Sequence, residues 1–393
     1  MIFNTFFYYF LFLFPSAILF RILPGNLRAW SCAFFGFLFF LYFSWQLQGS
    51  WWGPACLVIL VWEGLFRRYY KPNSVVCLIG VGVSLLVLGG FKYWNFFTDC
   101  MYLYQNNPVR WEEWFLPLGI SFFTFEFIHY ALDRYNGKVE KGTAGEYFAF
   151  IFFFPTMVAG PIKRFQDFLP CLRNPSNTWP LDWNRGITRI LTGLVKKFAV
   201  ADLLTSLSDH LNSQDIVGAP RWVLLLWLFS FGLKIYFDFS AYSDIAIGSG
   251  RLFGIKIPEN FNWPYFATNI TEFWKRWHIS LYRWLVDYIF IPLGGSRFGY
   301  WHTVRNLVVV MIVSGLWHGA GINFLLWGLW HAGLLVLHRN WVILKSRSGS
   351  QKYPKLWAIF SWFMTFCAVN LGWAFFAMDA STAILFFKTL ITG

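Results

Sequence analysis

The sequence predicts an all-α membrane protein. We expect a polytopic transmembrane helical bundle of about 10–12 membrane helices, with re-entrant or interfacial helices and a central tunnel. Of its 393 residues, 57% are hydrophobic and only 13% are charged, whereas soluble domains average about 25% charged residues. The mean hydropathy is +0.48. Apolar runs such as 29–45 and 75–94 approach the ~20 residues that a helix needs to cross the hydrocarbon core. A soluble globular domain is therefore excluded.

The basic residues predict the orientation in the membrane. The net charge of +13 would suggest nucleic-acid binding in a soluble protein, but here it follows the excess of Lys and Arg in cytoplasmic loops. Loops 21–28, 66–74 and 338–355 are basic and contain no acid, so we place them in the cytoplasm and the N-terminus outside. Residues 2–20 lack a basic n-region and a cleavage site, which predicts a retained first helix. The six cysteines show no metal-ligand spacing, and no metal site is predicted.

The apolar segments predict that residues 1–393 form one integral-membrane domain, a single helical bundle. The bundle has peripheral N-terminal helices at 1–110, a core at 115–342 and C-terminal helices at 355–393. In the core, Glu126 and His129 lie three residues apart in an apolar run, so they share a helix face. We interpret them as a pair that hydrogen-bonds to each other.

A polar cluster follows the apolar run 221–239. It contains Asp238, Ser240 and Tyr242. If the helix stops there, these side chains would form the wall of a substrate-binding cavity. Helix capping by any one of them is the simpler alternative.

The stretch 269–290 predicts an amphipathic helix. Asn269 and Glu272 have the spacing of a capping box. An apolar stripe at helical spacing follows, formed by Trp277, Leu281, Trp284, Leu285 and Tyr288, with Arg276 on the other side. His278 lies at the margin of the stripe, beside Trp274. By itself it is explained as an interfacial histidine with satisfied hydrogen bonds, and catalysis is the alternative.

Two further histidines lie in the apolar run 307–337. His318 is followed by Gly319, Ala320 and Gly321, which predicts a break in the helix. Irregular backbone at membrane depth is tolerated where it is buried in protein or lines a water-filled cavity. A histidine at such a place can act as a general base near neutral pH, or it can be structural. His331 lies on the helix that returns.

Several long motifs resemble those of a known family. They are FDFSAYSDIAIGSGRLFGIKIPENFNWPY at 237–265, ITEFWKRWHISLYRWLVDYIFIPLGGSR at 270–297, SGLWHGAGINFLLWGLWHA at 314–332, LPLGISFFTFEFIHYALDRYNG at 116–137 and FFPTMVAGPIKR at 153–164. In these motifs and their order the chain resembles the membrane-bound O-acyltransferases (MBOAT), and within them the bacterial alginate O-acetylation (AlgI-like) branch. The resemblance covers roughly 115–378. In the family, a basic residue usually stands where this chain has Ala377, and the chain often extends further.

The resemblance implies an O-acyltransferase in the bacterial plasma (inner) membrane. It would move an acyl group, preferably acetyl, from a cytoplasmic thioester to a hydroxyl of an extracytoplasmic polysaccharide or of an SGNH-type partner transferase. No bound cofactor is expected, and acyl-CoA or an acyl-carrier thioester is the donor substrate. D-alanyl transfer to a cell-wall polymer, a proton-coupled transporter and an inactive scaffold for an extracellular transferase are the alternatives.

The resemblance also implies roles for residues. His318 corresponds to the central catalytic histidine of the family and His278 to the second functional one, whereas we interpret His331 as structural. Three tryptophans, Trp274, Trp277 and Trp317, are expected to wall a narrow acyl tunnel and exclude water. Arg276, with its neighbour Lys275, is the expected contact for the phosphates of the donor.

Overall fold

The structure, a computed structural model, describes residues 2–48, 52–69, 73–105, 116–176, 178, 180–345 and 354–392. Within these ranges the regular elements are helices and no β-strand is present, which confirms the all-α class. Parts of the loops used above for topology, at 70–72 and 346–353, lie outside the described residues.

Four of the described helical segments are long and apolar enough to cross a membrane. They are Gly25–Gln46, Ser74–Thr98, Arg221–Phe253 and Lys355–Ala377. This agrees with a polytopic membrane protein. The larger number of crossings, the orientation and the single-domain organisation stay predictions.

The chain divides into two compact units. The first comprises Met1–Leu194 and Tyr242–Pro258, and the second comprises Val195–Ala241 and Glu259–Gly393. The motifs that contain the three histidines singled out above, His278, His318 and His331, all lie in the second unit.

The first unit is a bundle of helices around an aromatic core. Its α-helices are α1 (Phe14–Ile22), α2 (Gly25–Gln48), α3 (Trp52–Tyr69), α4 (Ser74–Gln105), α5 (Ile120–Tyr135), α6 (Ala144–Ile151), α7 (Phe154–Met157), α8 (Phe165–Arg173) and α9 (Leu181–Val195). A 3₁₀-helix at Ile2–Asn4 and a π-helix at Tyr8–Leu13 precede α1, so the first helix is not one uniform run over 2–20. Pro15 is the second residue of α1 and follows the π-helix without a break in the helical backbone, so its missing N–H falls inside a helical run, where proline disturbs the hydrogen-bond ladder.

The expected hydrogen bond between Glu126 and His129 on α5 is wrong. The Glu126 carboxylate instead forms a buried ion pair with the ammonium of Lys163. Nδ1 of His129 donates to the Phe125 carbonyl at 3.1 Å, and its Nε2 accepts from the backbone N–H of Phe165 at 3.4 Å. Lys163 and Phe165 lie outside α5, so the three-residue spacing of Glu126 and His129 could not indicate these partners.

The second unit contains the remaining helices. They are α10 (Asp202–Ser208), α11 (Ser213–Ile216), α12 (Arg221–Phe253, whose last turns belong to the first unit), α13 (Ile270–Arg276), α14 (Ile279–Leu285), α15 (Tyr300–His318), α16 (Ile322–Lys345), α17 (Pro354–Ala377) and α18 (Ala380–Thr392). A 3₁₀-helix at Pro264–Phe266 and π-helices at Lys196–Ala201 and Val286–Phe290 complete the unit. The core is aromatic and lies where α13, α15, α16 and α17 meet.

Helices α15 and α16 form a tight antiparallel hairpin. Helix α15 ends at His318 and α16 begins at Ile322, which confirms the predicted break. A Cβ added at Gly328 would lie 2.5 Å from the carbonyl oxygen of Met311, and one at Gly315 would overlap the Phe324 carbonyl. Because glycine has no Cβ, the two helix backbones approach closely, and this fixes His318 against α16.

The prediction that a helix stops at the polar cluster near 238 is wrong. Helix α12 continues to Phe253. Its polar side chains have partners within the protein. The ammonium of Lys197 lies 2.8 Å from the Asp238 carboxylate, and the Ser240 hydroxyl donates to the Phe237 carbonyl at 3.3 Å. Such back-bonding lets serine stay inside a helix.

Tyr242 belongs to the first unit. Its hydroxyl accepts from the backbone N–H of Ala159 at 3.3 Å and lies 3.4 Å from the Pro155 carbonyl. These contacts give the buried hydroxyl of Tyr242 hydrogen-bond partners within the protein.

Candidate active site

The predicted helix over 269–290 is interrupted at His278. Asn269 caps α13 as expected, since its side-chain oxygen accepts from the backbone N–H of Glu272 at 2.9 Å. The second half of the capping box differs, because the Glu272 carboxylate accepts from the backbone N–H of Thr268 at 2.9 Å. His278 has φ 45° and ψ 54°, the left-handed conformation that non-glycine residues rarely adopt. Helix α14 starts at the next residue.

A short irregular segment at Asn260–Asn262 packs against this break. The N–H of Asn262 donates to the Arg276 carbonyl at 2.9 Å, and the N–H of Ile279 donates to the Asn260 carbonyl at 2.9 Å. The segment therefore satisfies backbone groups that are orphaned at the end of one helix and the start of the next. A non-glycine residue with positive φ persists where its surroundings over-determine it, and such residues cluster at functional sites.

Asn260 also fixes the tautomer of His278. The backbone N–H of Ser280 lies 3.2 Å from Oδ1 of Asn260, and since an N–H can only donate, Oδ1 is an acceptor. The same Oδ1 lies 3.2 Å from Nδ1 of His278, so Nδ1 carries the proton of the neutral ring and Nε2 holds the lone pair. Nε2 is buried and has no hydrogen-bond partner among the described residues. It is the nitrogen that can accept a proton.

Trp317 contacts both His278 and His318. Its ring centroid is 6.1 Å from that of His278 and 4.7 Å from that of His318. The His318 ring, which is partly exposed, also makes edge contacts with Trp327 at 5.2 Å and Phe376 at 5.0 Å. The two predicted catalytic histidines thus contact the same indole, although 40 residues separate them in the sequence (318 − 278).

A cavity of about 430 Å³ lies against His278. This volume is within the ~300–1,000 Å³ of typical ligand sites. The lining comes from residues 271–290, from Ser296, and from one face each of α15 and α16, and is mostly apolar. Trp274 and His278 belong to the lining, whereas His318, Trp317 and Trp277 do not. A tunnel that serves both histidines stays a prediction.

His331 lies in a cage of aromatic rings. The centroids of Trp327 and Trp274 are 4.9 and 5.1 Å from its own, and Phe273 and Trp373 lie at 6.4 and 6.2 Å. The ring is fully buried, and neither nitrogen has a hydrogen-bond partner among the described residues. This packing agrees with a structural role, which remains a prediction.

Residues 83–378 match the model of the MBOAT family, the membrane-bound O-acyltransferases. This is more than half of the chain. The chain belongs to the membrane-bound O-acyltransferase family.

Three relatives show the range of this MBOAT chain's similarity. A probable alginate O-acetylase AlgI of Pseudomonas putida is 39% identical over 316 residues, which cover 79% of this chain and 63% of the relative. A peptidoglycan O-acetyltransferase of Helicobacter pylori is 32% identical over 383 residues, covering 87% and 71%. A teichoic acid D-alanyltransferase of Bacillus subtilis is 29% identical over 322 residues, covering 76% and 77%. The chain spans less than two thirds of the length of the Pseudomonas relative.

Two residues expected to bind substrate in this MBOAT protein have other partners. The Arg276 guanidinium forms an ion pair with the Glu272 carboxylate one turn earlier. Burial acts to raise the pKa of Glu272, but hydrogen bonds from Thr268 and the charge of Arg276 lower it below its ordinary value. Trp277 packs its ring on Phe273, with centroids 5.5 Å apart. Neither Arg276 nor Trp277 lines the cavity beside His278.

Sequence reasoning did not single out two residues of the site. Asn260 sits inside the quoted motif IPENFNWPY, but its partner His278 is 18 residues away, and no local pattern indicates that contact. Arg339 was counted as part of a basic loop. It lies on α16, and its side chain lines the cavity. The helix periodicity of the cavity-lining face of α16 is the signal that identifies it.

Proposed function

We propose that the protein is a membrane-bound O-acyltransferase that transfers an acyl group, preferably acetyl, from a thioester to a hydroxyl. The observation that carries the proposal is the state of His278. The Nδ1–H of His278 donates to Asn260, and its Nε2 has no hydrogen-bond partner among the described residues. The residue His278 is part of the cavity lining. A neutral histidine with a free lone pair beside a ligand-sized cavity suits general-base catalysis.

The chemistry requires one proton to move twice. As the hydroxyl oxygen attacks the thioester carbonyl carbon, its proton passes to the histidine pair, the C–O bond forms and the C–S bond breaks. The proton then passes to the leaving thiolate, so the products are an ester and a thiol. Within the pair, we assign the lone pair to Nε2 of His278 and the contact with the acceptor to His318, whose ring is partly exposed. Such proton transfer contributes about 10²–10⁴-fold in rate.

The aromatic surroundings support the same reaction. Water in the site would hydrolyse the thioester, so its exclusion favours transfer. Trp274 lines the cavity, and Trp317 and Trp327 pack directly against His318. We propose that these indoles keep the reacting centre dry and orient the acyl group.

We place the protein in the bacterial inner membrane, with the donor on the cytoplasmic side. The donor is acyl-CoA or an acyl-carrier thioester, and the acceptor is an extracytoplasmic polysaccharide or a partner transferase. The alginate and peptidoglycan O-acetyltransferases among the relatives support an acetyl group and a surface polymer. The excess of Lys and Arg in loops 21–28, 66–74 and 338–355 supports this orientation.

D-alanyl transfer to a cell-wall polymer is the second candidate. The similarity to the teichoic acid D-alanyltransferase, over 76% of this chain, favours it. The two candidates differ in the acyl group and share the histidine chemistry.

The test measures the ester-linked groups on surface glycans. Mild base should release acetate from cells that express the wild-type protein, and much less from cells that express His318→Ala at equal membrane abundance. The matched control is His302→Ala, because His302 is an exposed histidine on the same helix. Release of D-alanine in place of acetate selects the second candidate. Wild-type levels of both groups in the His318→Ala strain would reject acyl transfer by this site.

A further inference from the structure

Three cations gather where α3 and α5 of the first unit end. Arg68 lies in the last turn of α3, Arg134 in the last turn of α5, and Lys141 in the loop that follows α5. The Arg68 guanidinium and the Lys141 ammonium both lie over the Tyr69 ring, at 5.5 and 5.9 Å from its centroid. Nη1 of Arg134 donates to the Tyr130 hydroxyl at 3.2 Å, and this hydroxyl donates to the Lys141 carbonyl at 3.3 Å. We call Arg68, Arg134 and Lys141 the cationic cluster.

The described acids of this region pair with other cations. The Glu63 carboxylate lies 3.1 Å from the Arg67 guanidinium within α3. Glu146 and Glu140 both form ion pairs with Arg173, the first at 2.6 Å. Within the described ranges, no carboxylate forms an ion pair with a member of the cationic cluster. The cluster therefore presents positive charge that the described protein does not neutralise.

Arg68 carries its charge at a buried position. It is 6% exposed, and its Nε and Nη1 have no hydrogen-bond partner among the described residues. Its Nη2 donates to the Gly142 carbonyl. A buried charge without a counter-charge is costly, so a nearby anion stabilises this arrangement. Arg134 is half-buried and Lys141 is exposed, so the direct contacts with a ligand fall to these two residues.

An exposed apolar stripe on α3 leads to the cationic cluster. The stripe consists of Val58, Trp62, Leu65 and Tyr69, which are all exposed. Their spacing places them on one face of the helix, and an exposed apolar face of a membrane protein lies against lipid chains. Tyr69 is the last residue of α3, and tyrosine is enriched where the hydrocarbon core meets water. The cationic cluster beside Tyr69 is thus at the level of the lipid phosphates.

We propose that the cationic cluster binds the phosphate of an anionic phospholipid, whose acyl chains lie along the apolar stripe of α3. Arginine and lysine bind phosphate oxygens through charge-assisted hydrogen bonds, and the lipid's negative charge offsets that of the buried Arg68. A free phosphate ion uses the cations but not the stripe, which is why a lipid is the occupant. The site lies within the first unit, and the proposal does not depend on the proposed acyl transfer.

The test is lipid binding to the purified full chain in detergent. Bound lipid is counted by native mass spectrometry, and the melting temperature is measured with phosphatidylglycerol, phosphatidylcholine or inorganic phosphate. Phosphatidylglycerol should bind more tightly than phosphatidylcholine, which has no net charge, and should raise the melting temperature more. Arg134→Gln and Lys141→Gln should each weaken phosphatidylglycerol about fivefold, the usual contribution of one Lys or Arg beside an anionic lipid.

Lys138→Gln is the matched control, because it removes the same charge from an exposed position in the same loop. It should bind phosphatidylglycerol like the wild type. Arg134→Lys combined with Lys141→Arg keeps both charges and should retain most of the binding. Equal binding of the two lipids, an equal loss in Lys138→Gln, or no loss in the two glutamine variants would overturn the proposal.

Two further measurements complete the test. If inorganic phosphate raises the melting temperature as much as phosphatidylglycerol does, the cluster is a site for a soluble anion and the lipid assignment is wrong. If the glutamine variants do not fold, the wild type is titrated with salt instead. Its affinity for phosphatidylglycerol should fall as the salt concentration rises, because salt screens exposed charges. An affinity that does not change with salt would also overturn the proposal.

Discussion

Nδ1 of His278 lies 3.2 Å from the side-chain oxygen of Asn260. The same oxygen accepts hydrogen bonds from the backbone N–H and the hydroxyl of Ser280, at 3.2 and 2.8 Å. One amide thus holds the break between two helices and the tautomer of the histidine in that break. Asn260 is fully buried, so water cannot replace it at low cost.

The first prediction concerns Asn260. Asn260→Ala should lower acyl transfer by about 10–100-fold, as loss of the partners that orient functional histidines does elsewhere. Asn260→Asp keeps the acceptor but adds a negative charge, which favours the charged imidazole. The pKa of His278 should rise in that variant, so the acid limb of the pH–activity profile should move to higher pH. The measurement is transfer rate against pH in membranes. If Asn260→Asp has a normal transfer rate and the acid limb of its pH–activity profile does not move, Asn260 has only a packing role.

The second prediction concerns the two histidines of the proposed proton pathway, His318 and His278. His318→Ala and His278→Ala should each reduce transfer by about 100-fold or more, because each removes a group of the proton pathway. Both proteins should still insert and accumulate. The measurement is transfer per molecule of inserted protein. A well-expressed His318→Ala variant with near-normal transfer would favour the scaffold alternative.

The third prediction concerns His331, whose ring is caged by aromatic side chains. His331→Ala should lower the free energy of unfolding by about 2–4 kcal/mol, since it leaves a cavity in a packed core. His331→Phe should recover most of this loss, because neither ring nitrogen has a hydrogen-bond partner in the described residues. Thermal unfolding in detergent and transfer per folded molecule check it. If His331→Phe is stable but inactive, His331 takes part in the chemistry.

The fourth prediction tests the α15–α16 hairpin. Gly328→Ala places a Cβ 2.5 Å from the backbone oxygen of Met311, and backbone atoms cannot move aside cheaply. We expect a loss of about 1–3 kcal/mol in stability and reduced activity from a displaced His318. Gly333→Ala, on the same helix and with nothing within 4 Å of the added Cβ, is the control and should be neutral or slightly stabilising. Equal melting temperatures of the two variants would contradict the close packing.

The fifth prediction concerns topology. Single cysteines at Asn26, Asn73 and Lys355, all exposed in the structure, should resist a membrane-impermeant maleimide in intact cells and react after permeabilisation. The reason is the excess of Lys and Arg in the loops that contain them. For this test the native cysteines are first replaced, so that only the introduced cysteine can react. Labelling of Lys355→Cys from outside would reverse the orientation and the side from which the donor enters.

Local patterns predicted much of the second unit. The glycines after His318 predicted the end of α15, and Asn269 predicted the start of α13, because helix termini depend on the residues within one turn. Where the pattern extended beyond one turn it was less reliable. The apolar stripe over 269–290 predicted one helix, but the chain breaks at His278, where Asn260 accepts a hydrogen bond from Ile279 and Asn262 donates one to Arg276. Polar residues 238–244 suggested a helix end, but side-chain partners let α12 continue.

The sequence by itself determined the all-α membrane class, the family and the histidines that belong to its motifs, since these depend on composition and on contiguous residues. Only the tertiary structure decided which nitrogen of His278 carries the proton, that His278 and His318 both contact Trp317, and that Arg339 rather than Arg276 lines the cavity. Each of these depends on atoms brought together from distant parts of the chain. Their hydrogen bonds and contacts exist only after the helices have packed, so no local periodicity encodes them.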